Sequence, residues 1–346
     1  MHHPQDIELV VFDMNAIAYA CAYQPNLANL RFGDQPTGVI HGTIASFLGA
    51  IQRYPQAIPI ALWDGHAAWR QSYCPGYKSS RADSPEKVEV KERVKLQTPI
   101  VQTLLHDLGV AQARHPHAEA DDLAGCIARV ATLQGIPTRM ITVDTDWWQA
   151  ISEWVEWEHA REDTVLAADN FSLFVNKKTP PDGWASPREY LEAKVIAGDS
   201  SDDIPGIQGA GLATAAKMLR AAGGLQGILT GQLQAKGVVA DRLRSEGAHA
   251  LLRANLAIID WDQAPIHDPN SLALWCYPEN PSATRETAQA FGLKRMAERA
   301  RPGLVRSPLA APAQGIRAWG AVVRALNWPL QAAAGQMDEA SAEEAA

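Results

Sequence analysis

An α/β fold built on a mainly parallel sheet, followed by a smaller helical unit, is the architecture this sequence predicts. Two patterns predict it. Short apolar runs, several ending in an aspartate, alternate with helix-like stretches, as in parallel α/β sheets. Past "TPPDGW" (Thr179 to Trp184) that rhythm stops, and helix-start signals and a glycine-rich turn take over.

The first run, "ELVVFD", ends at Asp13; "AIPIALWD" ends at Asp64, "TRMITVD" at Asp144 and a weaker run, "TVLAAD", at Asp169. Helical patterns are expected over Thr37–Arg53, Pro99–Leu108, Ala120–Gln134 and Asp146–Glu153. Buried strands of this kind deliver their last residue to the carboxyl edge of the sheet, where ligands of open α/β sheets gather. The segment from Trp69 to Gln97 is polar and locally basic, with Arg70, Lys78, Arg81, Lys87, Lys91, Arg93 and Lys95 against Asp83, Glu86, Glu89 and Glu92. In the helical unit, "SPREYLEAKVIAG" carries Ser186 as N-cap, Pro187 at the first helical position and Glu189 in the capping-box position.

Composition narrows the class. The 346 residues suffice for two domains, 47% are hydrophobic, and the net charge is −8. No apolar run is long enough to span a bilayer. "MHHPQDIELVV" lacks the basic start and apolar core of a signal peptide, so a cytoplasmic location is expected. Cys21, Cys74, Cys126 and Cys276 form no C-x-x-C pair, which speaks against a zinc site or a disulfide framework. The acidic end, "DEASAEEAA", reads as a disordered tail from about residue 330.

The carboxylates carry the chemistry. Besides the strand ends there are "EADD" (Glu119, Asp121, Asp122) at a helix start, "DTD" (Asp144, Asp146) and "GDSSDD" (Asp199, Asp202, Asp203). Singly, each has an ordinary explanation as a cap, a turn or a complement to a helix N-terminus. Their recurrence at successive strand ends does not. Carboxylates converging on one edge raise one another's pKa unless cations neutralise them. Hard divalent ions with oxygen ligands do this, and a pair about 3.5–4 Å apart can promote phosphodiester hydrolysis. Downstream, "GIQGAGLATAAKML" has a helix-hairpin-helix pattern. Gly209 and Gly211 allow a tight turn, and the following helix N-terminus and Lys217 can face a nucleic-acid backbone.

Taken in order, "VFDMN", "PTGVIHG", "LWDG", "GYKSSR", "EADD", "VDTDWWQ" and "GDSSDDIPGIQGAG" resemble the 5′-nuclease family over residues of about 8 to 225. That family includes bacteriophage 5′→3′ exonucleases, the 5′-nuclease domain of bacterial DNA polymerase I and flap endonucleases. The resemblance implies a PIN-like catalytic domain over 1–184 with an arch at about 69–97. A helix-three-turn-helix DNA-binding region over 185–290 and a C-terminal extension over 291–346 would follow. It implies one metal site of Asp13, Asp64, Glu119 and Asp121 with Asp122 adjacent, and another of Asp144, Asp146, Asp199 and Asp202. Mg²⁺ is the expected ion, Mn²⁺ a substitute, and K⁺ a candidate at the hairpin. Lys78 and Arg81 match the arch's basic pair, which contacts the scissile phosphate, and Tyr77 is a candidate for base stacking. The implied activity is 5′→3′ exonuclease and 5′ flap endonuclease on DNA, with RNA–DNA hybrids as a further substrate, and a phage or small bacterial enzyme acting as a monomer is expected.

Three departures stand out. The helix after Asp13, "NAIAYACAY", has no basic residue, so phosphate steering would fall to a residue such as Arg31. The hairpin lysine of many relatives is Ala213 here, and Asp203 stands where an Asn is common. Two other readings compete. A haloacid-dehalogenase-type phosphatase would need an acid two residues after Asp13, where Asn15 stands. A non-catalytic DNA-structure binder would be expected to lack acidic ligands, and this chain retains them. The run "IRAWGAVVRALNW" (Ile316 to Trp328) either packs on the core or binds a partner.

Overall fold

The computed structural model describes residues 1–82, 84–263, 273–310 and 313–326. The expected acidic tail lies outside the described residues.

In chain order, the N-terminal part runs β1 (Leu9–Asp13), α1 (Met14–Ala22), α2 (Pro25–Ala28), a hairpin of β2 (Arg31–Phe32) and β3 (Gln35–Pro36), α3 (Gly38–Arg53) and β4 (Ile58–Trp63). Then come α4 (Trp69–Tyr73), α5 (Pro85–Asp107), β5 (Ala111–Arg114), α6 (Ala120–Gln134), β6 (Thr138–Thr142), a 3₁₀ turn (Thr145–Ala150), β7 (Val155–His159) and β8 (Val165–Leu166). The helical part holds α7 (Pro187–Ala197), α8 (Leu212–Ala222), α9 (Leu225–Leu229), α10 (Val238–Leu243) and α11 (Glu246–Ile259). The chain continues through β9 (Ala273–Trp275), α12 (Pro281–Ala290), α13 (Lys294–Arg299) and α14 (Ala313–Ala325).

Seven strands form one sheet in the order β8-β7-β6-β1-β4-β5-β9. The five inner strands are parallel, and β8 and β9 pair antiparallel at the two edges. The chain lays down β4 and β5 on one side of β1, then crosses to place β6 and β7 on the other. Strand order therefore reverses at β1, and the crevice beyond its carboxyl end is where open α/β sheets bind ligands. All of β1 and β4 is buried, as their unbroken apolar sequences require. Val10 and Phe12 face a layer that includes Ile17, Phe47, Leu104 and Met296; Leu9 and Val11 face one that includes Leu123, Ala193, Leu219 and Val322.

Several elements end where their caps say they should. Helix α6 has Glu119 and Asp122 closing a capping box at its start and Gly135, at φ +62°, ending it. Ser186 caps α7 by accepting the Glu189 N–H. Other expectations need correction. Helix α5 begins at Pro85, not Pro99: its first half is charge-rich, with Val90 and Val94 as its buried apolar residues, so the helical period is faint there. Pro99 sits inside the helix. The stretch after Asp144 is a 3₁₀ turn that gives way to β7, not a helix to Glu153. The weak fourth run yields a two-residue edge strand, and Asp169 lies apart, paired with the N-terminal amine at 2.6 Å. Of the two readings of the run from Ile316, packing on the core is observed: Ala318, Ala321 and Val322 of α14, and Leu326 just after it, are buried there.

Candidate functional site

Four carboxylates collect at the carboxyl edge around β1. Asp13 ends β1 and caps α1; its Oδ1 accepts the Ala16 N–H (2.9 Å) and its Oδ2 the Thr142 hydroxyl (2.8 Å). Asp64 follows β4. Its Oδ1 accepts the Ala120 N–H (2.9 Å), and its own N–H donates to Asn15 Oδ1 (3.2 Å), tying the two strand ends together. Asp121, in the first turn of α6, accepts the Trp147 indole N–H (2.7 Å). Asp144 follows β6 and accepts the Asp146 N–H (2.8 Å).

None of these four has a Lys, Arg or His partner within 4.0 Å among the described residues. Their proton affinities rise accordingly. Burial, then the charge of Asp64, lifts Asp13 to about 7. Burial and Asp146 lift Asp144 to about 6. Asp64 is raised by burial and Glu119, and Asp121 well above the ordinary range by burial, Asp144 and Asp13. The mutual repulsion shows that the four carboxylates share one electrostatic environment.

A second set lies beside them and is neutralised. Lys78 Nζ is 2.7 Å from Glu119 Oε1 and 3.7 Å from Asp202 Oδ2, and Arg81 Nη2 is 2.6 Å from Asp202 Oδ1. Lys194, buried on α7, pairs with Asp146 and lies 2.6 Å from Asp199 Oδ2. Burial alone would raise Glu119, but Lys78 and Arg70 outweigh it and hold the carboxyl below its ordinary range. Lys194 and Ser201 likewise overcome burial at Asp199 and hold it well down. The basic loop is fastened to this set through its backbone: the Lys78 N–H donates to the Asp202 carbonyl (2.9 Å) and the Ser80 N–H to Asp203 Oδ2 (2.8 Å). Lys78 and Asp203, the two ends of this zipper, both adopt positive φ, +55° and +57°, a conformation uncommon for residues other than glycine.

Two anticipated side chains are placed otherwise. Asp122 points both oxygens at Arg70, at 2.9 and 2.6 Å, and accepts the Glu119 N–H; this buried fork leaves it positioning its neighbours. Tyr77 does not offer a face for stacking. It is 7% exposed, and its hydroxyl donates to Glu119 Oε2 (2.9 Å), because the phenol reaches a carboxylate that its ring can cover. In the hairpin, Gly209 has φ +84° and the turn requires glycine there. Gly211 is the N-cap of α8, at φ −70° in open space, and no side chain caps that N-terminus. Lys217 is exposed on α8. Lys194, Arg70, Thr142 and Trp147 were not anticipated. A lysine in the last turn of a helix is the ordinary complement to the dipole, which masked Lys194.

The set is all oxygen, which suits a hard cation, and the four raised carboxylates show a local shortage of positive charge. Among the described residues no three His, Cys, Asp or Glu side chains close on a single coordination point. The fit to a divalent ion is thus one of donor chemistry and charge.

A family model described as the 5′-3′ exonuclease N-terminal, resolvase-like domain matches residues 8–175. A second, the 5′-3′ exonuclease C-terminal SAM fold, matches residues 185–275. The chain belongs to the 5′-3′ exonuclease family. Among curated relatives of this exonuclease-family chain, the thermostable DNA polymerase I of Thermus filiformis is 29% identical over 222 residues, 64% of this chain and 24% of that protein. DNA polymerase I of Mycobacterium tuberculosis is 26% identical over 268 residues, 77% of this chain and 28% of that protein. The chain thus spans about a quarter of the length of these relatives. Among solved structures, T5 5′-exonuclease with bound zinc aligns with a TM-score of 0.59 at 17% identity, over 85% of this chain and 100% of that one. A bacteriophage T5 flap endonuclease in a product complex with DNA and metal ions aligns at 0.60 and 17%, over 84% and 99%. These likenesses establish the mixed α/β fold with its mostly parallel sheet and helical C-terminal region.

Proposed function

We propose that this protein is a divalent-metal-dependent nuclease that hydrolyses DNA phosphodiester bonds from 5′ ends, as a 5′→3′ exonuclease and a 5′ flap endonuclease. One observation carries the reading. Four carboxylates, Asp13 buried and Asp64, Asp121 and Asp144 half-buried, meet without cationic partners among the described residues at the point where strand order reverses, and two arch cations sit on the adjoining carboxylates.

In this reading Asp13, Asp64, Glu119 and Asp121 would hold one ion, and Asp144, Asp146, Asp199 and Asp202 a second. Bound Mg²⁺, or Mn²⁺ in its place, supplies the Lewis-acid charge that activates the attacking water and stabilises the leaving oxygen. The protein's own groups do the rest. The Ala16 and Ala120 N–H groups and the Thr142 hydroxyl fix the carboxylate rotamers in advance. Lys78 and Arg81, paired with Glu119 and Asp202, stand where they would meet the scissile phosphate and stabilise the charge that develops there. Asp122 and Arg70 keep the start of α6 in register. The uncapped N-terminus of α8, with Lys217, would hold duplex phosphates, and the same hairpin would be the place for K⁺. RNA–DNA hybrids are cut as well as DNA, and the monomer is the active form.

The test is a 5′-labelled flap duplex incubated with purified protein in Mg²⁺ and in EDTA, wild type beside Asp144→Ala. Metal-dependent release of labelled product, lost in the variant, supports the reading. Product length separates flap cutting from stepwise degradation. Binding without cleavage in any divalent metal would make this a DNA-structure binder instead.

A further inference from the structure

Lys194 and Arg70 are the buried cations beside the acidic cluster among the described residues, and Lys194 is the one that reaches Asp146 and Asp199. It is 7% exposed, whereas Arg81 is largely in solvent. Its ammonium joins two carboxylates from different elements, Asp146 in the 3₁₀ turn and Asp199 in the loop after α7, with Asp199 Oδ2 at 2.6 Å. A point bonded at once to an oxygen of each is a point a bridging cation would occupy. The backbone of α7 holds the lysine there: Ser186 and Pro187 start the helix, and the Lys194 carbonyl accepts the Gly198 N–H that closes it.

We propose that Lys194 is a resident competitor for the second divalent ion, so that this protein binds one ion tightly and a second weakly. The inference rests on the reading that Asp146 and Asp199 are ligands of that second ion. At the first site Asp13, Asp64 and Asp121 have no paired cation among the described residues, and Lys78 and Arg70 reach only Glu119, so the first ion meets less competition than the second. The second must displace a buried ammonium from two carboxylates, and the coupling between like charges a few ångströms apart in a partly buried site is large. The displaced ammonium is then free to meet an anionic group entering the cleft.

The test is Mn²⁺ binding to metal-free protein, followed by the spin-resonance signal of free Mn²⁺, for wild type and Lys194→Met. Two steps of unequal affinity are expected in wild type. In the variant the weaker step should tighten by about tenfold or more while the tighter one is unchanged. A weaker step left unchanged or weakened in the variant would overturn the inference but leave the metal reading standing. Absence of any Mn²⁺ binding would overturn both. A measurement without a variant guards against misfolding. The Nζ resonance of Lys194 in wild type, titrated with Mg²⁺, should move with the second step only; movement with the first step, or none, would also overturn the inference.

Discussion

The two halves of the acidic cleft use the same residue types and behave in opposite ways. Asp13, Asp64, Asp121 and Asp144 hang from strand ends and a helix start, hold neutral hydrogen bonds, and have raised proton affinities. Glu119 and Asp199, in the adjoining set, are held low by Lys78 and Lys194. The difference lies in where cations can reach. The carboxyl ends of buried parallel strands are surrounded by other strand ends. The adjoining positions face a loop and a helix long enough to send in a lysine or arginine. A carboxylate's identity therefore says less than its neighbours about whether it requires an outside ion.

The contrast can be broken in four ways. The largest effect is expected from Asp144→Ala, which removes a carboxylate from the uncompensated half. Cleavage in Mg²⁺ should fall by about a thousandfold or more, judged against the cost of losing one well-placed charge-stabilising group, while circular dichroism shows the fold retained. Turnover within tenfold of wild type would remove Asp144 from the site. Next, Lys78→Met removes a cation from the compensated half. The expected loss is about a hundredfold in kcat with little change in KM, read in steady-state flap cleavage; a change confined to KM would make Lys78 a general DNA contact.

The third is pH dependence of the metal-free protein. With Asp13 at about 7 and Asp144 at about 6 against an ordinary 3.8, the folded state binds more protons than the unfolded state between those limits. Stability should then fall as pH rises from about 4 to 7. Glu119 and Asp199 act the other way, contributing stability above their unfolded pKa values and losing it as pH drops below about 4. Thermal unfolding in EDTA should therefore peak in mildly acidic buffer, and Mg²⁺ should flatten the neutral-side decline. A Tm in EDTA that climbs steadily through pH 7 would contradict the raised values. The smallest effect is Ser186→Ala at the start of the helix that carries Lys194. It should cost about 1 kcal/mol in denaturant unfolding and leave kcat unaltered; a large drop in kcat would show that α7 is poised at the edge of order.

Much of this was readable in advance where local signals and tertiary packing agree. Glu119 and Gly135 bracket α6, and its observed limits are the expected ones. Unbroken apolar runs marked β1 and β4. Strand β7 was hidden because it carries Glu156 and Glu158 into the interior, where Arg139 from β6 meets them at 2.6 and 3.7 Å. A charged pattern says surface until the partner strand is known. The same holds for Arg70 with Asp122 and Lys194 with Asp146, pairs far apart in sequence that only the fold brings together. Tyr77 misled in a related way, since an aromatic beside basic residues looks like a stacking platform until its hydroxyl finds a buried carboxylate.

The chain's late segments return to its early ones. Strand β9 closes the sheet beside β5, and α14 lies along α6, with Arg317 donating to the Gln134 and Gly135 carbonyls. Helix α6 is the one that begins with Glu119 and Asp121. A ribosome making this protein from the N-terminus therefore releases the acidic cleft's residues long before the cover of their supporting helix exists. The nascent chain carries an unfinished α/β layer until residues past 320 have emerged, so the acidic edge matures only after the helical region that follows it in sequence has been made.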